Sequence, residues 1–382
     1  MKKLKLVAVF GTRPEAIKMA PVVLAMRKYQ QFIEPFVVVT AQHREMLDQV
    51  LTLFDIKPDY DLSIMSPRQT LYDISCRALS GLGDVFTKLQ PDMVLVHGDT
   101  TTTFVGALAA YYQKIAIGHV EAGLRTGNKY SPFPEEANRA LTGVLADFHF
   151  APTQMAKENL LRENVRKEQI FVTGNTVIDA LQATVKNDYE FTHPVLTECV
   201  KRNRKIILVT THRRENWGEP LAHIYQALRK VIEARPDVEA VFPVHKNPLV
   251  HDMVQRELAG QDRIHLIEPL DYEPFANLMA RSYLILSDSG GVQEEAPALG
   301  VPVLVLRDTT ERPEALKAGT VKLIGTDLDA VFAETMGLLD DKSAYLKMSE
   351  SSNPYGDGLA SERIVRTILA QKGFPVELPE YF

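Results

Sequence analysis

At 382 residues, the chain is long enough for two hydrophobic cores of ordinary domain size. With 45% hydrophobic residues, 24% charged residues and a net charge of -6, it has the composition of a soluble globular protein and lacks the basic excess of a general nucleic-acid binder. Cys76 and Cys199 stand far apart in no metal-like spacing, which excludes a disulfide framework and fits a reducing compartment. Met1-Lys2-Lys3 before Leu4–Phe10 imitates a secretory signal, but the apolar run is too short, and no run approaches membrane-spanning length. A cytoplasmic enzyme or binding protein is expected.

Leu4–Phe10 reads as a first strand, and Pro14 suits the start of a helix over Glu15–Tyr29. Strand Pro35–Thr40, a helix through Met46 and Leu51, and a helix over Leu71–Leu89 follow. Next come strand Met93–His97, helix Thr101–Tyr112, strand Ile115–Val120, helix Glu135–Leu145, strand Phe148–Ala151 and helix Met155–Leu161. A polar, weakly periodic stretch over 175–204 is expected as a linker. A second series then runs from strand Lys205–Thr210 through helix Leu221–Ala234, strand Glu239–Pro243, helix Leu249–Leu258, strand Arg263–Ile267 and helix Glu273–Ala280. It continues with strand Tyr283–Leu286 and its helix, strands Val303–Leu306 and Thr320–Ile324, and helices Leu328–Leu338 and Lys342–Met348. Alternating strands and helices imply two Rossmann-like, doubly wound α/β domains, over 1–174 and 205–358, facing across a ligand cleft. A last helix over Leu359–Gln371, within a 359–382 tail, is expected to return to the first domain.

The stretch Ser287-Asp288-Ser289-Gly290-Gly291-Val292-Gln293-Glu294-Glu295 joins a strand to a helix. Its glycines let the backbone bend sharply and come close to a ligand, and the helix N-terminus favours an anion, so it reads as a phosphate seat. A plain glycine-rich turn is the alternative. Arg13 and Lys18 flank the first strand-to-helix turn, where the dipole disfavours cations, and phosphate or carboxylate recognition explains them better than a solvated basic face. Asp99 closes one strand, either as a site carboxylate or as the N-cap of the helix from Thr101. Glu121 closes the next and needs a partner, with Arg125 as the structural alternative. Glu135 opens a further helix, and Arg139 four residues on supports its ionised form. Three carboxylates converge on one rim. His212, beside Arg213 and Arg214, and Arg312, after Val303–Leu306, face the same rim from the second half. There is no Walker lysine loop, dinucleotide fingerprint or zinc spacing, so neither NAD nor a required metal is expected.

These segments together resemble the bacterial non-hydrolysing UDP-N-acetylglucosamine 2-epimerases. The motifs are Phe10-Gly11-Thr12-Arg13-Pro14-Glu15-Ala16-Ile17-Lys18, His97-Gly98-Asp99-Thr100, His119-Val120-Glu121-Ala122-Gly123-Leu124-Arg125-Thr126, Pro134-Glu135-Glu136-Ala137-Asn138-Arg139, His212-Arg213-Arg214-Glu215-Asn216, Asp288–Ala296, Thr309–Glu314 and Asn353–Gly358. The resemblance spans nearly the whole chain. It implies a GT-B-like fold and a homodimer, with Asp99, Glu121, Glu135 and His212 at catalytic positions. It places Arg13, Lys18, Ser289, Gly290, Gly291, Glu295 and Arg312 on UDP, with Glu295 at the ribose and Leu270 and Phe275 beside the uracil. Some relatives bind a second UDP-N-acetylglucosamine as an activator in the region of Gln42, His43 and Arg68.

The implied reaction suits these residues. C2 of the sugar is not flanked by a carbonyl, so its proton becomes removable only as UDP leaves C1. That demands acid–base groups at the ring and a cationic clamp on the diphosphate. The product would supply surface polysaccharide synthesis. A retaining glycosyltransferase of the same fold, an epimerase of a modified UDP-N-acetylhexosamine and a non-catalytic nucleotide-sugar sensor are the alternatives.

Overall fold

The computed structural model describes residues 2–41, 44–66 and 68–382, with the backbone alone for Arg44 and Glu45. The chain divides into two compact units: Met1–Ala183 joined by Tyr355–Phe382, and Thr184–Pro354.

The first unit runs β1 (Leu4–Phe10), α1 (Arg13–Lys28), β2 (Ile33–Val39), α2 (Arg44–Leu53), β3 (Tyr60–Asp61), α3 (Leu71–Leu89) and β4 (Met93–His97). It continues α4 (Thr101–Tyr112), β5 (Ala116–Val120), α5 (Glu135–Leu145), β6 (Phe148–Ala151), α6 (Gln154–Arg162), β7 (Ile170–Val172) and α7 (Thr176–Thr184). Among the described residues its strands form one parallel sheet in the order β3-β2-β1-β4-β5-β6-β7. β4 is buried at every position, as expected of a parallel strand covered on both faces. Valines, leucines and Phe86 from β1, β4 and α3 fill one layer of the core.

The second unit runs α8 (Pro194–Arg202), β8 (Lys205–Thr210), α9 (Glu219–Ala234), β9 (Val238–Pro243), α10 (Pro248–Leu258), β10 (Ile264–Ile267), α11 (Tyr272–Arg281) and β11 (Leu284–Ser287). It continues α12 (Gly290–Glu295), β12 (Val303–Val305), α13 (Pro313–Ala318), β13 (Val321–Leu323), α14 (Leu328–Asp340) and α15 (Lys342–Ser349). Its parallel sheet has the order β10-β9-β8-β11-β12-β13. α9 lays Leu221, Ile224, Tyr225, Leu228 and Ile232 on it, a helical spacing that puts one apolar face inward.

In both sheets the strand order reverses once, between β1 and β4 and between β8 and β11. At such a switch point the loops leaving two neighbouring strands part in opposite directions and open a crevice at the strand carboxyl ends.

The last helix, α16 (Ala360–Gln371), belongs to the first unit and packs on α1. The carboxylate of Asp179 in α7 accepts from the backbone N–H of Ala360 at 3.2 Å and of Ser361 at 2.7 Å, and so caps α16. Arg363 grips Asp357 through two bonds of 2.6 and 2.7 Å.

The stretch 175–204 was expected to be irregular, yet it contains α7 and α8. α7 is started by Asn175, whose side-chain oxygen accepts from Val177 N–H at 3.1 Å, and α8 has a proline in its first turn and buries only Leu196 and Cys199. Neither helix shows a 3.6-residue period, α7 because it is buried on nearly every side and α8 because it buries so little. The strands β3 and β7, of 2 and 3 residues, and helix α13, of 6, are too short to show a period.

Candidate functional site

In the first unit the switch point is sewn shut by Glu15. Its carboxylate accepts from Gly11 N–H at 3.1 Å, Thr12 N–H at 2.8 Å and Thr12 Oγ1 at 2.8 Å on the β1 side. On the β4 side it accepts from Thr100 Oγ1 at 2.7 Å and Thr103 Oγ1 at 3.2 Å. Thr12 and Glu15 form a capping box. Burial pushes the Glu15 pKa up, against these hydrogen bonds.

Around this seam lie the candidate acids. Glu121 follows β5 in a left-handed conformation, φ +63°, which strains a residue with a Cβ by about 1–2 kcal/mol. Its carboxylate pairs with Lys18 and accepts from Asn175 Nδ2 at 2.9 Å. The buried His97 stands 3.5 Å away. Gly98 precedes Asp99 at φ +68°, where a Cβ would come within 3.3 Å of Glu121 Oε2. A glycine is therefore needed both for the turn and for the space. Asp99, its side chain 31% exposed, lies 3.2 Å from Arg139. Burial, and next the charge of Glu121, push its pKa up to about 6, against Arg139 and Lys18. Glu135 is close enough to add to that rise. One carboxyl group thus changes protonation near neutrality beside another. Burial holds His97 and His149 down to about 4 and His119 to about 3, so all three are neutral at pH 7. Arg13 is partly buried at the start of α1, with no ion-pair partner among the described residues.

In the second unit the switch point is sewn by Asp288, wholly buried beyond β11. It accepts from His212 N–H at 3.0 Å, Arg213 N–H at 2.9 Å and Asn216 Nδ2 at 3.3 Å, all beyond β8. His212 Nδ1 lies 2.8 Å from Asp288 Oδ1. Burial alone would raise the Asp288 pKa, but the hydrogen bond and charge of His212 and the two backbone donors outweigh it and hold the carboxyl below its ordinary value. Just past Asp288 is the Ser289-Gly290-Gly291 turn. A Cβ on Gly290 would sit 3.8 Å from the Arg312 guanidinium and 3.9 Å from that of Arg213, and one on Gly291 would sit 3.3 Å from Glu295 Oε1. Two cations and one carboxylate therefore crowd the bare backbone. Arg312 is held by Glu294, and its N–H bonds Thr310, which bonds Gln293. Leu270 lies partly buried just before α11, and Phe275 partly buried in its first turns. Between them, Tyr272 carries a buried hydroxyl whose pKa is raised by burial and then by Glu295.

Several expectations need correction. Asp99 is not the N-cap of α4, since Thr100 takes that place by accepting from Thr103 N–H at 3.1 Å. Arg139 pairs with Glu136 and Asp99, not Glu135, because Glu136 is buried against Thr126 and Gly127 N–H and draws the guanidinium inward. Arg125 does not serve Glu121 but grips Glu163 through two bonds of 2.7 Å. The helix after the glycine turn has 6 residues before Pro297 tightens it to a 3-10 turn, so its dipole is short and the arginines supply most of the positive charge. Neither Gly290 nor Gly291 has a positive φ. Their value is close approach, not a sharp bend. Gln42 and His43 lie outside the described residues, while Arg68 is exposed at φ +56°.

Glu15 and Asp288 stand inside quoted motifs and Asn175 and Tyr272 outside them, and none of the four was given a role of its own. The Thr12-to-Glu15 spacing was a readable signal for Glu15. The others depend on partners far along the chain.

Two doubly wound units, one presenting coupled carboxyl groups at its switch point and the other an arginine-lined glycine turn, define a GT-B-like protein suited to a nucleotide sugar. Comparison with known proteins narrows this. A family model described as UDP-N-acetylglucosamine 2-epimerase matches residues 25–369. The UDP-N-acetylglucosamine 2-epimerase of Bacillus subtilis strain 168 is 58% identical over 382 residues, covering 100% of this chain and 99% of the relative. A crystal structure of a UDP-N-acetylglucosamine 2-epimerase superimposes with a TM-score of 0.93 at 56% identity, covering 100% of both chains. The Neisseria meningitidis UDP-GlcNAc 2-epimerase bound to UDP-GlcNAc gives 0.84 at 52% identity over 96% of this chain and 100% of that one. The chain belongs to the UDP-N-acetylglucosamine 2-epimerase family, and it is an isomerase. No helix among the described residues is long and apolar enough to cross a membrane.

Proposed function

We propose that the protein interconverts UDP-N-acetylglucosamine and UDP-N-acetylmannosamine by anti-elimination and re-addition of UDP. A base removes the C2 proton while the C1–O bond breaks, its electron pair leaving with UDP. The intermediate is a 2-acetamidoglucal with a C1–C2 double bond. Delivery of a proton to the other face of C2, with UDP returning to C1, gives the epimer. Asp99, Glu121 and Glu135 serve the sugar from the first unit, and His212 serves it from the second. Arg13 and Lys18 of the first unit and Ser289, Gly290, Gly291 and Arg312 of the second hold the diphosphate. Glu295 takes the ribose, and Leu270 and Phe275 flank the uracil.

The observation that carries this reading is the coupled pair Asp99 and Glu121, with Asp99 pushed up to about 6 beside a strained, Lys18-paired neighbour. Proton transfer at C2 requires carboxyl groups that exist in both states near neutral pH. The reaction run in deuterated water, with no acceptor present, tests it. Deuterium is expected at C2 of the product and at no other ring carbon. Full retention of the original hydrogen overturns elimination, and label at C3 or C4 points to other chemistry.

The product would feed surface polysaccharide synthesis in the cytoplasm. A homodimer is also proposed, supported by the exposed Tyr111, Tyr112 and Val144 at the C-terminal ends of the adjoining helices α4 and α5. Light scattering at micromolar concentration checks it, and a monomeric mass overturns it.

A further inference from the structure

We infer that Asp288 is a positioning residue for His212, fixing which imidazole nitrogen carries the proton and which one is offered to the sugar. The inference rests on the reading of His212 as a catalytic group.

A fully buried carboxylate is costly unless its oxygens are satisfied. Asp288 could meet that need as a loop staple alone, through the N–H groups of His212 and Arg213 and the Asn216 amide. The contact that a staple does not need is the fourth, His212 Nδ1 at 2.8 Å from Asp288 Oδ1. Two lone pairs do not face each other at that distance, so Nδ1 carries a hydrogen and donates it. The unprotonated nitrogen of the neutral ring is then Nε2. Access agrees with this assignment: Asp288 is 0% exposed and the His212 side chain 40%. The ring is further bounded by His245, whose centroid lies 6.3 Å away at 29° between planes. Backbone and side chain of His212 are thus pinned by one carboxylate, leaving little freedom about χ1 and χ2.

The arrangement follows from the topology. β8 and β11 are neighbours with Thr210 opposite Ser287, so the residues just past their ends must meet. Asp288 is the first residue past β11 and His212 the second past β8. A carboxylate behind a histidine in this way holds a tautomer and stabilises the charged ring if it forms.

Asp288→Asn is the informative change. Its amide oxygen can still accept from the two backbone N–H groups, but its NH2 then faces Nδ1 and favours hydrogen on Nε2. We expect kcat to fall about 100-fold or more, with UDP affinity within about 3-fold of the wild type. His212→Gln should lose as much, and the double variant no more than His212→Gln alone. Nitrogen-15 spectra of histidine-labelled wild-type enzyme, with the His212 signals assigned by their loss in His212→Gln, should show hydrogen on Nδ1. Hydrogen on Nε2 in that spectrum overturns the inference, whether or not Asp288→Asn folds. So do unchanged kcat in Asp288→Asn, equal loss of turnover and UDP affinity, or additive losses in the double variant. Full turnover by His212→Gln would instead remove His212 from the chemistry, a separate failure.

Discussion

Both units close their switch point with one buried carboxylate, and the two are held in opposite ways. Glu15 is surrounded by backbone N–H groups and threonine hydroxyls, all neutral, and burial prevails, so its pKa rises. Asp288 has similar backbone donors plus an imidazole that can carry charge, and its pKa falls. A single ionisable partner reverses the sign at equivalent places in two similar sheets. The difference marks a division of labour. Glu15 organises the loops that present other acids, whereas Asp288 reaches a candidate catalytic side chain directly.

The largest effects should separate the units' roles. Glu121→Gln should lower kcat by about 100- to 10,000-fold and leave UDP affinity within a few-fold. Arg312→Ala should weaken UDP binding about 10- to 100-fold, as expected for a lost charge-assisted contact. Steady-state kinetics and calorimetry with UDP check both, and a Glu121→Gln variant that turns over normally would erase the proposed division.

The next effect concerns the seams themselves. Glu15→Ala should destabilise the protein by about 3 kcal/mol, since five donors lose their acceptor in a buried place. Glu15→Gln should cost only about 1 kcal/mol. Its oxygen can serve Gly11 and Thr12, while its NH2 donates to the rotatable hydroxyls of Thr100 and Thr103. Urea unfolding measures both, and equal losses would mean that ionised Glu15 is required.

A smaller effect is the pH dependence that the seams impose. Asp288, held low, contributes stability that is present above its unfolded pKa and lost as pH falls through the folded value. Glu15, held high, acts in the other direction, so its cost appears as pH rises past 4.5. Comparing Glu15→Gln with wild type across that range should show the variant gaining relative stability as pH rises.

A separate pH effect is carried by Asp99. The native state holds its proton more tightly than the unfolded chain between 3.8 and about 6, so stability relative to Asp99→Asn should fall as pH rises through that window. The same variant should erase an inflection near 6 from the profile of kcat/KM.

Much of this was legible in the residues. β1, β4, β5 and β8 are short apolar runs bounded by turn residues, and each delivers its polar motif at a carboxyl end, so the alternating pattern led directly to two doubly wound sheets. Asp99 and Glu121 could be placed on the same rim by that logic alone. Illegible were pairings set by strand order. Nothing local says that β8 lies beside β11, and without that neighbourhood Asp288 is only a residue in a glycine-rich turn. Arg139 illustrates the same limit on a helix, where spacing offered Glu135 but burial selected Glu136. Helices α7 and α8 show no period for opposite reasons: α7 is buried on nearly every side, while α8 buries only Leu196 and Cys199.

The first unit is assembled from both sides of the second, with Asp179 waiting for Ala360 and Ser361. On the ribosome this inverts the usual order of maturation. Residues 1–183 emerge first, yet their last helix arrives only after 184–354 have been made, so the second unit can be complete while the first is still missing a part. Until then α1 exposes the apolar face that α16 will cover, and Asp179 has no helix end to cap. The unit proposed to carry the sugar chemistry is thus the last to be completed, since part of it lies beyond residue 354.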